Sequence, residues 1–191
     1  MPSIEVERER LRMDSSRKVV VFGSSRCPEG GEDQKRAHEV GRVLASRGLT
    51  LVSGGYEGSM GAASRGAKEA GGRVLGITTA IFQDRSPNRW LDERIDEPDY
   101  PARMSHMMRL GDAFVALPGA LGTLSEWLLA WCLRSIGQLG GPLWAFSDPW
   151  RRIYDSVLEL PEVTPDRADC VRWVRDPSDL ARELDSWLSR H

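Results

Sequence analysis

The chain has 191 residues, 40% hydrophobic and 28% charged, with a formal net charge of −2. That composition fits one globular domain with a core of its own and excludes wholesale disorder. The near-neutral balance argues against a duplex nucleic-acid binder, and no stretch approaches the roughly 18 continuous apolar residues of a membrane span.

Three cysteines (Cys27, Cys132, Cys170) and three histidines (His38, His106, His191) are scattered without metal-ligand spacing. Reduced thiols, a cytoplasmic setting and no metal or other cofactor are therefore expected. Residues 1–16 alternate Glu and Arg around no apolar run, so they read as a charged, flexible arm and not a secretory signal. The domain itself is placed at 17–191.

Within it, short β-branched runs alternate with longer amphipathic ones. Strand-like runs fall at 18–22, 49–52, 73–77, 113–117, 142–146 and 170–174. Helix patterns fall between them at 32–47, 59–70, 101–110, 121–133 and 149–160, with a last one at 176–191 that has Pro177 in its first turn. Gly48 and Gly71-Gly72 punctuate two of these helices. The polar segment 78–100, with Pro87 and Pro98, shows no period, and its charge run 84–99 reads most simply as a solvated loop, with a cap over the binding cleft as the alternative. This order predicts a Rossmann-like α/β domain, with a doubly wound, mostly parallel sheet covered by helices on both faces. Ligands in such folds bind at the carboxyl ends of the strands, near the switch in strand order.

Three loops at such ends carry the candidate residues. Gly23 and Ser24 follow the first strand, where a tight turn leaves amides and hydroxyls free for an anion. Gly54, Gly55, Gly58, Met60 and Gly61 lie in S-G-G-Y-E-G-S-M-G after the second strand. They read either as backbone approaching a phosphate or as glycines for close helix packing. The spacing fits neither G-x-G-x-x-G nor a Walker A loop. The third run, Pro118, Gly119, Ala120, Leu121, Gly122 and Thr123 with Glu126 three residues on, places a helix start beside a hydroxyl and a carboxylate. Thr123 and Glu126 either form a capping box or leave Glu126 facing the far end of a bound nucleotide.

Residues 118–126 resemble the P-G-G-x-G-T-x-x-E motif of the Lonely Guy family, whose members include cytokinin riboside 5′-monophosphate phosphoribohydrolases. The likeness extends in register from 19 to 146. It takes in the G-S-S turn at Gly23, the G-G-G-x-x-G-x-M-G loop with Ser53 for its first glycine, and M-x-x-R-K followed by D-A-F, matched by Arg103 and by Asp112-Ala113-Phe114. The resemblance implies Arg103 and Glu126 as the catalytic pair and the three loops as phosphate and substrate binders. It further implies a homodimer acting on a nucleoside monophosphate; the charge balance and the lack of a long apolar run lead to the expectation of no nucleic-acid or membrane partner.

Tyr100 and Met104 replace the methionine and lysine of the family's M-x-x-R-K, and Ala120 replaces a glycine of its motif. Met104 removes a positive charge and Ala120 adds a methyl group, so the alternative is a non-catalytic nucleotide or cofactor carrier or sensor on the same fold. A lysine decarboxylase is discounted, since Lys18, Lys35 and Lys68 lie outside all three loops. For Arg103 an ion pair with Glu93 or Asp99 is the plain alternative, and His106 reads as a surface or interface residue. The pair Trp127 and Trp131, one helical turn apart, reads as core or as a dimer face, with the dimer face favoured.

Overall fold

The computed structural model describes residues 16–82 and 85–190; the charged arm, apart from Ser16, lies outside them. In chain order the elements are β1 (Lys18–Phe22), α1 (Glu32–Ala45), β2 (Thr50–Ser53), α2 (Ser59–Glu69), β3 (Val74–Thr79), β4 (Glu93–Glu97) and α3 (Tyr100–Leu110). They continue with β5 (Ala113–Ala116), α4 (Leu121–Ser135), β6 (Leu143–Phe146), α5 (Ser147–Leu158), α6 (Pro165–Ala168), β7 (Val171–Val174) and α7 (Pro177–Leu188). No helix among the described residues is long and apolar enough to cross a membrane.

All seven strands pair in parallel, in the order β4-β3-β2-β1-β5-β6-β7. The expected doubly wound sheet is therefore present. Because helices cover both faces, the inner strands read as continuous apolar runs. In β1, Val19 and Val21 enter one core with α1, α2 and α7, while Val20 and Phe22 enter the other with α3, α4 and α5. Strand order reverses between β1 and β5, so the loops after these two strands open a crevice at their carboxyl ends.

The segment 78–100 departs from expectation. Thr78 and Thr79 extend β3, and E-R-I-D-E forms the edge strand β4 in register from Leu75↔Glu93 to Thr79↔Glu97. Only Ile95 and Glu97 of β4 are buried. Its pairing with β3, not an apolar pattern, makes it a strand, and its outward charges suit a sheet edge.

Two further expectations are corrected here. His106 is no surface residue: it is buried, and its Nδ1 lies 2.5 Å from Oε1 of the equally buried Glu97, tying α3 to β4. Trp127 and Trp131 form no exposed dimer face. Both are buried in an aromatic cluster with Trp150, Tyr154 and Trp173, because the helix turns them onto α5 and β7 and not outward.

Helices α1 and α2 cross with their backbones nearly in contact. A methyl group at Gly41 would stand 1.9 Å from the Ala63 carbonyl oxygen, and one at Gly66 1.9 Å from that of His38. Urea unfolding of Gly66→Ala is therefore expected to show a loss of about 2 kcal/mol or more, as overpacking against rigid backbone requires. Gly140→Ala, with open space around it, should stay within about 0.5 kcal/mol of the parent.

Candidate active site

Helix α3 carries Arg103 toward the carboxyl edge of the sheet. Asp99 caps the helix by accepting a hydrogen bond from the Ala102 amide at 2.8 Å, which leaves Asp99 committed and Arg103 free to turn inward. Glu93 is taken by Arg73 at 2.7 Å. Arg103 therefore pairs with neither of these acids. Its Nε donates to the Ile77 carbonyl at 2.7 Å and its Nη1 to Glu126 Oε1 at 3.2 Å. The two side chains are only 3% and 6% exposed.

The guanidinium also lies between two rings, 5.9 Å from the centroid of Tyr56 and 5.8 Å from that of Tyr100. Its far nitrogen fills the space that a side chain at Gly54 would need, since a methyl group there would sit 1.8 Å away. Burial pushes the Glu126 carboxyl above its ordinary range, against the opposing charge and hydrogen bond of Arg103.

Glu126 lies one helical turn inside α4, whose start has no side-chain cap. The first helical bond runs from the Leu124 amide to the Ala120 carbonyl, so the amides of Leu121, Gly122 and Thr123 have no partner among the described residues. Thr123 Oγ1 is buried and unpartnered as well. The capping box is thus not formed: Thr123 is three residues into the helix and Glu126 points at Arg103. At α5, Trp150 Nε1 donates to the Leu117 carbonyl at 2.9 Å and fixes the end of the chain from which the 118–120 loop departs.

These groups open on one cleft of 560 Å³, within the usual size of a small-molecule site. Of the sequence-predicted residues, Gly23, Ser24, Met60, Arg103, Gly122, Thr123 and Glu126 line it. Pro118 and Gly119 line an adjoining hollow of 470 Å³ that shares Ser24, Arg26 and Ala120 with the cleft. Gly58 and Gly61 face a separate hollow between α1 and α2, whereas Gly54 and Gly55 line none of these cavities.

The second glycine loop mainly serves packing, then. Gly54 makes room for Arg103, and Gly55 and Gly58 have φ of +76° and +72°, which side chains resist. The sequence reading missed Arg26, Tyr56, Phe82, Arg85, Tyr100 and Ser125, which also line the cleft. Tyr56 stood inside a motif already singled out. Phe82 and Arg85 sit in the aperiodic segment and left no signal.

The model of the SLOG cluster4 family matches residues 16–144, more than half the chain. A cytokinin riboside 5′-monophosphate phosphoribohydrolase of Mycobacterium tuberculosis is 35% identical over 172 residues, 86% of this chain and 91% of its own. One of Arabidopsis thaliana is 33% identical in an alignment of 198 positions that covers 98% of this chain and 91% of its own. The chain belongs to the Lonely Guy family. Among solved structures, the molybdenum cofactor carrier protein of Chlamydomonas reinhardtii superposes with a TM-score of 0.72 at 22% identity, over 91% of this chain and 99% of that one. The molybdenum cofactor binding protein of Rippkaea orientalis gives 0.71 at 24%, over 90% and 96%. At that identity these two show the shared fold alone.

The departures from the Lonely Guy motif have clear structural settings. Ala120 has φ −110° and ψ −158°, extended backbone that any residue adopts, so its methyl group adds no strain. Met104 is buried against the α3–α4 groove and does not line the cleft, so the substitution leaves the arginines that do line it, Arg26, Arg85 and Arg103, in place.

Replacing Arg103 tests the pair. Arg103→Leu removes both influences that hold the Glu126 carboxyl down, so its folded pKa rises further above the unfolded value. A carboxyl raised in this way favours the fold when protonated and loses that contribution as pH climbs through its folded pKa. The variant's melting temperature should therefore fall relative to the parent as pH is raised from 4.5, the ordinary value for this carboxyl, through its raised folded pKa. At the upper end the deficit should approach about 3–5 kcal/mol, the usual cost of leaving one buried charge without its partner.

Proposed function

We propose that the protein is a nucleoside 5′-monophosphate phosphoribohydrolase. It cleaves the N-glycosidic bond of AMP or an N6-substituted AMP to give free base and ribose 5-phosphate. One observation carries this reading: the buried Arg103–Glu126 pair opens on the same cleft as the uncapped start of α4. The names of the relatives, cytokinin riboside 5′-monophosphate phosphoribohydrolases, support it.

The free amides of Leu121, Gly122 and Thr123, the positive end of the α4 dipole and the Thr123 hydroxyl suit a phosphate dianion. With the phosphate there, Glu126, one turn further along, faces the sugar. Breaking the bond from C1′ to the base sends its electron pair to the base nitrogen, which takes up a proton, and leaves oxocarbenium character on the sugar. The Glu126 carboxylate stabilises that positive charge and accepts a proton from the water that adds to C1′. The planar guanidinium of Arg103 fixes the carboxylate through a geometry that its other hydrogen bond, to the Ile77 carbonyl, holds rigid. Tyr56, Phe82 and Tyr100 meet edge to face and form an aromatic wall against which a purine can lie.

The proposed assembly is a homodimer through the α3–α4 groove. A hollow of 860 Å³ there is lined by Met104, Met108, Leu129, Leu133 and Leu139, and Leu121 at the start of α4 and Ile136 just past its end are exposed. The proposed setting is cytoplasmic, on the scattered spacing of the three cysteines in the sequence.

Purified protein should release adenine from AMP, measured by chromatography. Glu126→Gln should lower the rate by roughly 100-fold or more while AMP affinity stays within about threefold; equal rates in parent and variant would sink the assignment. Thr123→Val should weaken AMP binding roughly tenfold, the worth of a hydrogen bond to a charged group. Because the working form of Glu126 is the anion, release should decline as pH drops, with the acid limb lying above 4.5, the ordinary value for this carboxyl. Sedimentation velocity should show a dimer that Leu129→Arg converts to monomer.

A further inference from the structure

Position 100, a methionine in the family motif, is a tyrosine in this chain, and the structure gives its hydroxyl a definite polarity. Tyr100 opens α3 and reaches across to α4, where its Oη lies 2.7 Å from Ser125 Oγ. Ser125 Oγ donates to the Gly122 carbonyl at 2.8 Å. A serine hydroxyl has a single proton. With that proton committed to Gly122, Ser125 can only accept from Tyr100. The phenolic proton therefore points into α4, and the oxygen keeps its lone pairs for the cleft that Tyr100 and Ser125 both line.

The other tyrosine of the wall is different. Tyr56 Oη donates to the Thr79 carbonyl and accepts from the Thr79 amide, both at 3.0 Å, so its bonding capacity is taken up within the fold. The Tyr100 ring is held by Phe82, 6.2 Å away and edge-on, and by the Arg103 guanidinium. Burial raises its phenol above the ordinary range, with Glu126 adding to the shift, so Tyr100 stays neutral. Around it the cleft offers donors: Arg103, the free amides of α4 and the Thr123 hydroxyl. Tyr100 Oη adds a fixed neutral acceptor, tethered to the residue next to Glu126.

We propose that Tyr100 Oη accepts a hydrogen bond from the ribose 2′-hydroxyl of the bound nucleotide, making Tyr100 a specificity-determining residue for ribonucleotides over 2′-deoxyribonucleotides. The inference rests on the phosphoribohydrolase reading, which puts the sugar between the start of α4 and Glu126. The 2′-hydroxyl is borne by the carbon next to C1′, so it is the sugar donor nearest the group that Glu126 faces. As positive charge develops at C1′ the 2′-hydroxyl becomes a stronger donor. A hydrogen bond to it then tightens in the transition state and acts on kcat more than on KM.

Tyr100→Phe keeps the ring and its contacts and removes only the oxygen. Base release from AMP and from 2′-deoxy-AMP is measured for parent and variant. Comparing each substrate with itself cancels the different intrinsic lability of the two sugars. The expected result is a fall of roughly tenfold or more in kcat/KM on AMP, mostly in kcat, with less than about threefold change on 2′-deoxy-AMP. Equal losses on both substrates would make Tyr100 a structural tie between α3 and α4, and no loss on either would make it idle; each result overturns the proposal. Should the parent release no base from either nucleotide, the phosphoribohydrolase reading fails by itself. Titration calorimetry on parent and variant then decides the sugar contact: selective weakening of AMP supports it, and equal or absent weakening overturns it.

Discussion

A guanidinium and a carboxylate held 3.2 Å apart and almost out of water set the terms for the rest of this molecule. Removing two charges from solvent costs several kcal/mol each, and their mutual attraction offsets that only where further hydrogen bonds and contacts are in place. The surroundings supply them from three separate places in the chain. Strand β3 offers the Ile77 carbonyl, and the loop after β2 offers the empty side of Gly54. Tyr56 and Tyr100 cover the guanidinium from that same loop and from the start of α3. Much of what resembles a ligand loop in the sequence is thus the housing of a buried ion pair.

The switch in strand order turns this pair into part of a site. Because β1 and β5 are neighbours whose chains continue to opposite sides, their trailing loops separate and leave the crevice open. Helix α4 starts at that crevice with unmet amides, and Glu126 follows one turn later. The cleft therefore has a donor-rich end and an anionic interior about 5 Å apart, one turn of helix rise. That polarity complements a ligand with a dianion at one end and developing positive charge a few bonds away. A pocket of donors alone would hold a phosphate and do nothing to the sugar beyond it.

The core on the same side of the sheet has a bearing on the site. Trp127, one residue after Glu126, is packed against Trp131 and Trp150, and Trp150 bonds the carbonyl at the end of the β5 segment. Close packing of such large rings leaves α4 little freedom to slide or rotate. The buried Glu97–His106 contact ties the helix that carries Arg103 to the edge strand. The two halves of the pair thus sit on helices anchored by different means, one by aromatic packing and one by a polar contact.

Local pattern alone determined the strands with apolar runs, the helices between them, the parallel architecture and the motif residues from Pro118 to Glu126, since each of these is dictated by neighbours within a few residues. The tertiary structure decided what depends on distant partners. E-R-I-D-E becomes a strand only because β3 offers it an edge, and Gly54 is needed because an arginine 49 residues further on fills its place. Trp127 and Trp131 look the same in sequence whether they face a second copy or their own core, and the placement of α5 and β7 decides it. The direction of the Tyr100 proton lies furthest from the sequence, because it follows from a chain of hydrogen bonds that exists only once α3 and α4 are packed together.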